Sequence, residues 1–452
     1  MDVSYQYAQA SSLEKTAEES RLFLSHFNEQ YSEKAMPCFF WGKLKNPYLV
    51  ARSLLTLSKV VSANFMPLGS SLRDPVITAG GNKLRLEAFS SCCSVYAKVD
   101  LLPEALDGEF LQQGTTNVDF NTEMISALSK IRKNEEVFFS IGKKEFVLQK
   151  DNKSVVEKKV SLPLRWIKGM ATVQVLASEM KPTLHFNKLQ IQLLFRSIPK
   201  GSINDDYFLS LRANRPNLSP VKSNKSICIG GVHRLRLLEG LANLADSLTI
   251  YDMKSENATA FQFQMKNMRF TLMLSRSFWR GFSGEGSALS NLIEDVPEAW
   301  LDQLDNFAKI NEEFSLKDKF LKDLSEQDFK NVATRLASMG LLGFDLTDQV
   351  YYYRKLPFKM SRIESLNPRY KNALKIIKKG DYKWLLKNKE IEVKGSGHFH
   401  KIVLSKNDSK CTCTWYASHQ NNRGDCKHIL VGKILKNKEQ SEIEKIIEEL
   451  EL

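Results

Sequence analysis

The 452-residue sequence contains no run of 18 apolar residues, so no membrane-spanning helix is predicted. Its opening, MDVSYQYAQASSLEKTAEES, has neither a basic start nor an apolar stretch, which excludes a secretory signal. Nothing else marks the chain for export, and a cytoplasmic location is expected. Cysteines are few and odd in number, seven in all, which argues against a disulfide framework in so long a chain. Cys38, Cys92, Cys93 and Cys228 stand in apolar or mixed surroundings and read as core residues. Histidine is equally scarce, and only His26, His185 and His233 precede residue 398. There is no Ser-His-Asp elbow, no Walker loop and no H-E-x-x-H helix. GFSGEG (281–286) lacks the Lys-Ser/Thr of a phosphate loop and the third glycine of a dinucleotide fingerprint. A non-enzymatic protein is therefore expected. One enzymatic alternative is a metal-dependent nuclease using Asp107, Glu109 and Asp119, although exposed loop acids are far commoner than catalytic ones.

What is present is a segregated charge. The formal net charge is +13, and residues 351–440 hold 21 Lys/Arg against 7 Asp/Glu, leaving 44 against 45 elsewhere. The excess lies in the last hundred residues, which points to an anionic partner there. The length itself implies several domains.

The expected architecture is α+β and multidomain. Residues 1–35 read as a polar helical lead-in anchored by Leu13, Leu22, Phe23 and Phe27. Residues 36–280 form an α+β region. Within it, 84–102 reads as one long strand or a hairpin, and PEALDGEFLQQGTTNVDF after it as a loop. A helix at 121–133 is followed by three strand-like runs and ends in LRWIKG. A helix at 232–248, with Leu235, Leu238, Leu241 and Leu244 on one side, is again followed by three such runs and ends in FWRG. This order predicts an internal duplication, about 84–169 and 184–280. Sliding clamps are built from repeated α+β units of broadly this kind, so a clamp-like arrangement of two similar units is one expectation; two unrelated α+β domains are the other. Residues 281–297 read as a Gly/Ser linker. Residues 298–384 are helical, with a capping-box-like Ser325 to Asp328, a stop at Gly340 and a hairpin at 343–356, and resemble a winged helix. Residues 385–440 carry the cysteine cluster, and 441–452 form an acidic C-terminal helix.

That cluster is KCTCTWYASHQNNRGDCKHIL, Lys410 to Leu430. Cys411, Cys413, Cys426 and His428 make a usual tetrahedral ligand set for one structural zinc ion. In C-x-C both sulfurs leave the same face of an extended strand, and C-x-H at the start of a helix can converge on the same point. Four ligands leave no open position, so the site reads as structural. His398 and His400 are spare; His419, within the intervening loop, is either a replacement for His428 or a bystander, and reads as a bystander because His428 completes the compact C-x-H pair.

CTC…CKH is the pattern of the SWIM zinc finger. Trp415, the strands IEVKG and HKIVLSK before the cluster and the helix KHILVGKIL after it match that family's ββα layout over about 388–436. SSCCSVYAKVDLLPEALDGEF, GTTNVDFN, LPLRWIKG and WRGFSGEG make the rest of the chain similar to one bacterial group of SWIM-containing proteins. The resemblance implies neighbours that are MoxR-type ATPases and von Willebrand factor A proteins, and a finger that binds DNA or protein. Candidate nucleic-acid contacts are Lys401, Lys406, Lys410, Trp415, Arg423, Lys427 and Lys433, joined by Lys436 and Phe399. Lysine dominates, which suits phosphate contact more than base readout. Two functions follow as expectations: low-specificity nucleic-acid binding by the basic C-terminal half, DNA before RNA, or a scaffold or adaptor role in an ATPase system.

Overall fold

The computed structural model describes residues 12–15, 20–23, 38–65, 75–118, 120–142, 146–150, 153–156, 164–277, 281–283, 297–315, 318, 325–356, 368–395, 397–405, 409–419 and 425–449. The described part of the lead-in is not helical. Ser12–Lys15 and Ser20–Phe23 pair as an antiparallel hairpin with Leu13 opposite Leu22. Two apolar residues nine apart suit cross-strand pairing, and so few anchors never defined a helical stripe.

One unit, helix then antiparallel three-stranded meander, occurs three times between residues 47 and 275. Helix α1 (Pro47–Ser62) starts on a proline at its first position and buries Val50, Leu54, Leu57 and Val61. Its meander is Val76–Gly80, Lys83–Phe89 and Val95–Leu101. Helix α2 (Thr122–Ser129) is capped by Asn121, whose side chain accepts from Met124 N. Its meander is Phe138–Gly142, Phe146–Lys150 and Lys153–Val156. Helix α3 (Leu164–Glu179) and the capping-box helix α4 (Lys188–Ser197) come next.

The third unit opens with a 3-10 segment, Val232–Leu238, that runs into the short α5 (Glu239–Ala242). One continuous helix was expected over 232–248. Leu235, Leu238 and Leu241 are buried all the same, because a spacing of three serves the tighter helix as well. Ser247–Asp252, Ala258–Met265 and Met268–Ser275 complete the unit. The second and third units are those read from the sequence, and the first was seen only as its hairpin.

The first and third meanders join edge to edge. Met268–Ser275 pairs antiparallel with Val95–Leu101, Phe270 opposite Val99, and makes one eight-stranded sheet. Lys181–Asn187 and Gly114–Asn117 are its outer strands. The second meander continues through Cys38–Leu44 to Leu106–Phe110 in a five-stranded sheet. The stretch expected as a loop thus holds two strands. Gly42 and Gly108 face each other, and a Cβ on either would run into the other strand's backbone. No propensity reveals so close an approach. Gly108→Ala should destabilise the 38–356 unit by about 1–3 kcal/mol. A scanning calorimetry trace with an unchanged transition would show that the strands are not so tightly apposed.

On the face of the eight-stranded sheet away from α1, alternate residues are charged and buried: Arg85 and Glu87, Lys98 and Asp100. The segment 297–356 covers them. It comprises α6 (Glu298–Asn311), the short strand Glu313–Phe314, α7 (Glu326–Ser338) and the hairpin Leu342–Asp345/Val350–Tyr353. Ser325 caps α7 by accepting from Asp328 N. Phe314, Phe329, Val332, Leu336 and Tyr351 belong to the same apolar core as the sheets, so this segment is not a separate body.

Its polar side is ionic. Arg354 meets Glu87, and both are fully buried. Lys98 lies 3.2 Å from Asp100, Arg269 2.9 Å from Asp348, and Arg85 binds Glu313. Burial opposes the Asp345 charge, yet Lys98 and Arg269 hold its carboxyl down at about 2.

A second core begins at α8 (Pro368–Lys379) and is built on Tyr370, Leu374, Ile391, Ile402, Ile429, Ile434 and Ile443. Helix α8 was expected within 298–384, with the winged-helix-like segment. Its apolar side packs instead against the later helices, so the C-terminal domain starts there and not at 385. Among the described residues no helix is long and apolar enough to cross a membrane.

Candidate metal centre

The C-terminal domain is built around a hairpin, Glu390–Lys394/Phe399–Val403. The short strand Lys410–Cys411 adds to its edge, with Cys411 opposite Ile402. Ile402 points into the core, so Cys411 does too, and Cys413 follows on the same side two residues later. Helix α9 (Thr414–His419) begins directly after it. Cys426 is the N-cap of α10 (Lys427–Asn437), and its Sγ accepts from Ile429 N at 3.5 Å. His428 stands in the first turn. Strand alternation and a helix start thus deliver two ligands each to one point.

The ligand atoms of Cys411, Cys413, Cys426 and His428 all lie within 4.8 Å of one another, and all four residues are buried. Cys411 Sγ is 3.9 Å from His428 Nδ1. A tetrahedral zinc with ligand distances of about 2.0–2.3 Å would set such edges at roughly 3.5–3.8 Å. The donor set fits one ion of that kind.

Electrostatics agree. The Cys426 thiol is pushed well up by its hydrogen bond to the Cys411 thiol and by burial. Burial raises Cys413 as well. Three thiols in one dry pocket cannot share negative charge unless a cation joins them. Burial, with His400 and Lys427 adding to it, lowers His428 to about 4, so its imidazole is neutral at pH 7 and its lone pair is available. His428 Nε2 is buried without a hydrogen-bond partner, and the His400 ring lies against this imidazole at 4.4 Å between centroids.

The structure therefore brings together the four residues expected as zinc ligands. His398 is exposed, His400 is outside the ligand group, and the side chain of His419 falls outside the described residues. The expected nucleic-acid contacts divide. Lys401 is held by Glu390 at 2.8 Å, and Lys433 by Asp425 at 2.8 Å. Lys410 is exposed and Lys427 half-exposed. One face of Trp415 is covered by the Arg369 guanidinium, 4.8 Å from the ring centre. Arg369 also donates to the Asp425 carbonyl at 3.0 Å, which fastens α8 to the metal loop. Lys406 and Arg423 lie outside the described residues. The strongest basic stripe was not among the named contacts. Lys371, Lys375 and Lys379 share one face of α8, spaced i, i+4 and i+8. The signal was present in KNALKIIKK, but its packing beside the metal helix was not.

Asp107 and Glu109 stand exposed on a strand opposite Lys43 and Trp41, and Asp119 lies outside the described residues. Among the described residues the Cys/His group is the one cluster able to hold a metal.

No family model and no curated protein matches the sequence. Among solved structures, the chain is similar to the Proliferating Cellular Nuclear Antigen from Entamoeba histolytica at 10% identity and a TM-score of 0.36. That superposition covers 53% of this chain and 98% of the other, and so weak a likeness does not establish a shared fold.

Proposed function

We propose that residues 368–449 form a SWIM-type finger that holds one structural zinc ion. Its lysine surface binds nucleic-acid phosphates, DNA before RNA, with little sequence preference. The observation that carries this reading is the stripe of half-exposed Lys371 and exposed Lys375 and Lys379 on a helix fastened through Arg369 to the loop of the candidate metal site. The two strands followed by α10 support the family reading, and the closed four-ligand set supports a structural role for the ion. A core of this size gains much of its stability from such an ion. Lys330 is the exposed basic residue of α7 and is paired with Glu326 at 2.8 Å.

A second reading, a scaffold for a MoxR-type ATPase, has its own observation. Leu386, Phe399 and Val403 are exposed on the sheet face turned from the core. Salt separates the two. Anisotropy of labelled single-stranded DNA, duplex DNA and RNA with the full chain should show affinity falling by orders of magnitude from about 50 to 200 mM salt. Lys375→Glu/Lys379→Glu/Lys410→Glu should weaken DNA binding at least tenfold, equally on unrelated sequences. Binding that neither salt nor this variant changes would favour apolar docking.

A further inference from the structure

We infer that a hollow between α1 and the third unit binds a mononucleotide. The hollow measures about 390 Å³ and lies where the last turn of α1 meets the 3-10 segment and α5. Proteins hold small ligands in spaces of about 300–1,000 Å³, so this one suits a compact ligand. Its walls are unlike one another, and each selects a different part of that ligand.

One wall is apolar. Phe65, just beyond α1, sets its ring edge-on to that of His233, 5.6 Å between centroids. Leu237 adds an aliphatic surface. A second wall donates. Lys59 is exposed in the last turn of α1. Arg236 is held from behind, its Nη2 donating to the Ile198 carbonyl at 2.7 Å and the Pro199 carbonyl at 3.3 Å. Its Nη1 is 3.6 Å from Glu239, beyond hydrogen-bond length, and keeps its capacity to donate. The Ile203 amide donates to His233 Nδ1 at 3.0 Å, which puts the ring's proton on Nε2. Burial, with the Arg234 charge beside it, lowers His233, so the ring is a neutral donor at pH 7. The third wall accepts: the Glu239 carboxylate is exposed at the rim. Gly240 next to it leaves the space open, and a Cβ there would meet nothing within 4 Å.

The combination selects the ligand. Two cations and a neutral N–H suit an anion with several acceptor oxygens, as a phosphate has. An aromatic wall beside an aliphatic one suits a flat ring. A carboxylate among the cations disfavours a ligand that is anionic throughout, such as a nucleic-acid backbone. It accepts instead from vicinal hydroxyls, as carboxylates do from a ribose in dinucleotide sites. Phosphate, ring and diol occur together in a mononucleotide. Arg236 and His233 are already fixed by backbone groups, so little side-chain freedom is lost when they bind.

The test is calorimetric titration of the full chain with AMP, which should bind once per chain. Adenosine, 2′-deoxy-AMP and inorganic phosphate each lack one or more of the three parts and should bind about tenfold more weakly or worse. Gly240→Leu extends a side chain over the hollow without a clash and favours the helix. It should weaken AMP by about tenfold or more with no fall in melting temperature. Glu239→Gln should bring AMP and 2′-deoxy-AMP to within about twofold of each other. In the unmodified chain, AMP should protect Lys59 from acetylation, which reads the site without any substitution. Displacement of AMP by a short strand bearing a 5′-phosphate, and not by its 5′-hydroxyl form, would make the ligand a strand end; no displacement would make it the free nucleotide. Lys375→Glu/Lys379→Glu/Lys410→Glu should leave AMP binding unchanged, since the hollow lies in the other core. No binding of AMP, binding that Gly240→Leu does not change, inorganic phosphate bound as well as AMP, or binding lost with the tail lysines would each overturn the assignment.

Discussion

Cys426→Ser should abolish metal binding at the Cys/His group and unfold residues 368–449 while the 38–356 unit keeps its melting transition. Three features make the effect large. Cys426 belongs to the group able to hold a metal, it caps α10, and it sits 3% exposed within the second core. Structural zinc contributes about 10–16 kcal/mol of folding free energy in small finger domains. The cap adds about 1 kcal/mol. Elemental analysis should give one zinc per wild-type chain and none for the variant. Hydrogen exchange should show protection lost in α8, α10 and α11 (Gln440–Glu449) and retained in the eight-stranded sheet. The two cores are distinct groups of buried residues, which is why the loss stays in one of them. A variant that kept its metal, or that lost it with α10 still protected, would sink the ligand assignment.

The second large effect lies in the other core. Arg354→Met should destabilise it by about 3–5 kcal/mol, because Glu87 is left charged, buried and uncompensated. Burial opposes that charge, and Arg354, helped by the Tyr96 hydroxyl, keeps the carboxyl below its ordinary range. Adding Glu87→Gln removes the stranded charge and keeps an acceptor for Tyr96. The double variant should recover most of the loss. Urea unfolding of the four proteins of the cycle gives the coupling directly. If the two losses simply add, the pair does not fasten 297–356 to the sheet.

The metal centre was legible because its geometry is local. A C-x-C pair on a strand and a C-x-H pair at a helix start need only two to three residues each to set their directions. Two of the three helix-and-meander units were legible for the same reason. The first was legible only as its hairpin: the helix Pro47–Ser62 and the strand Val76–Gly80 were not read, and the charges Arg85, Glu87, Lys98 and Asp100 within the hairpin are buried. Glu313 and Arg354, the partners of Arg85 and Glu87, lie more than two hundred residues away, so no local pattern announces them. The strand at Leu106–Phe110 was hidden by Gly108, which is there for the close approach of the backbone at Trp41 and Gly42.

The pairing of Val95–Leu101 with Met268–Ser275 has a consequence during synthesis. When residue 101 has left the ribosome, its strand must wait for some 170 more residues, on the order of 10–30 s at ordinary translation rates. For that interval the first meander carries an open edge. Lys98 and Asp100, a buried ion pair in the finished protein, are then charges on an exposed strand, where they discourage pairing with other nascent chains.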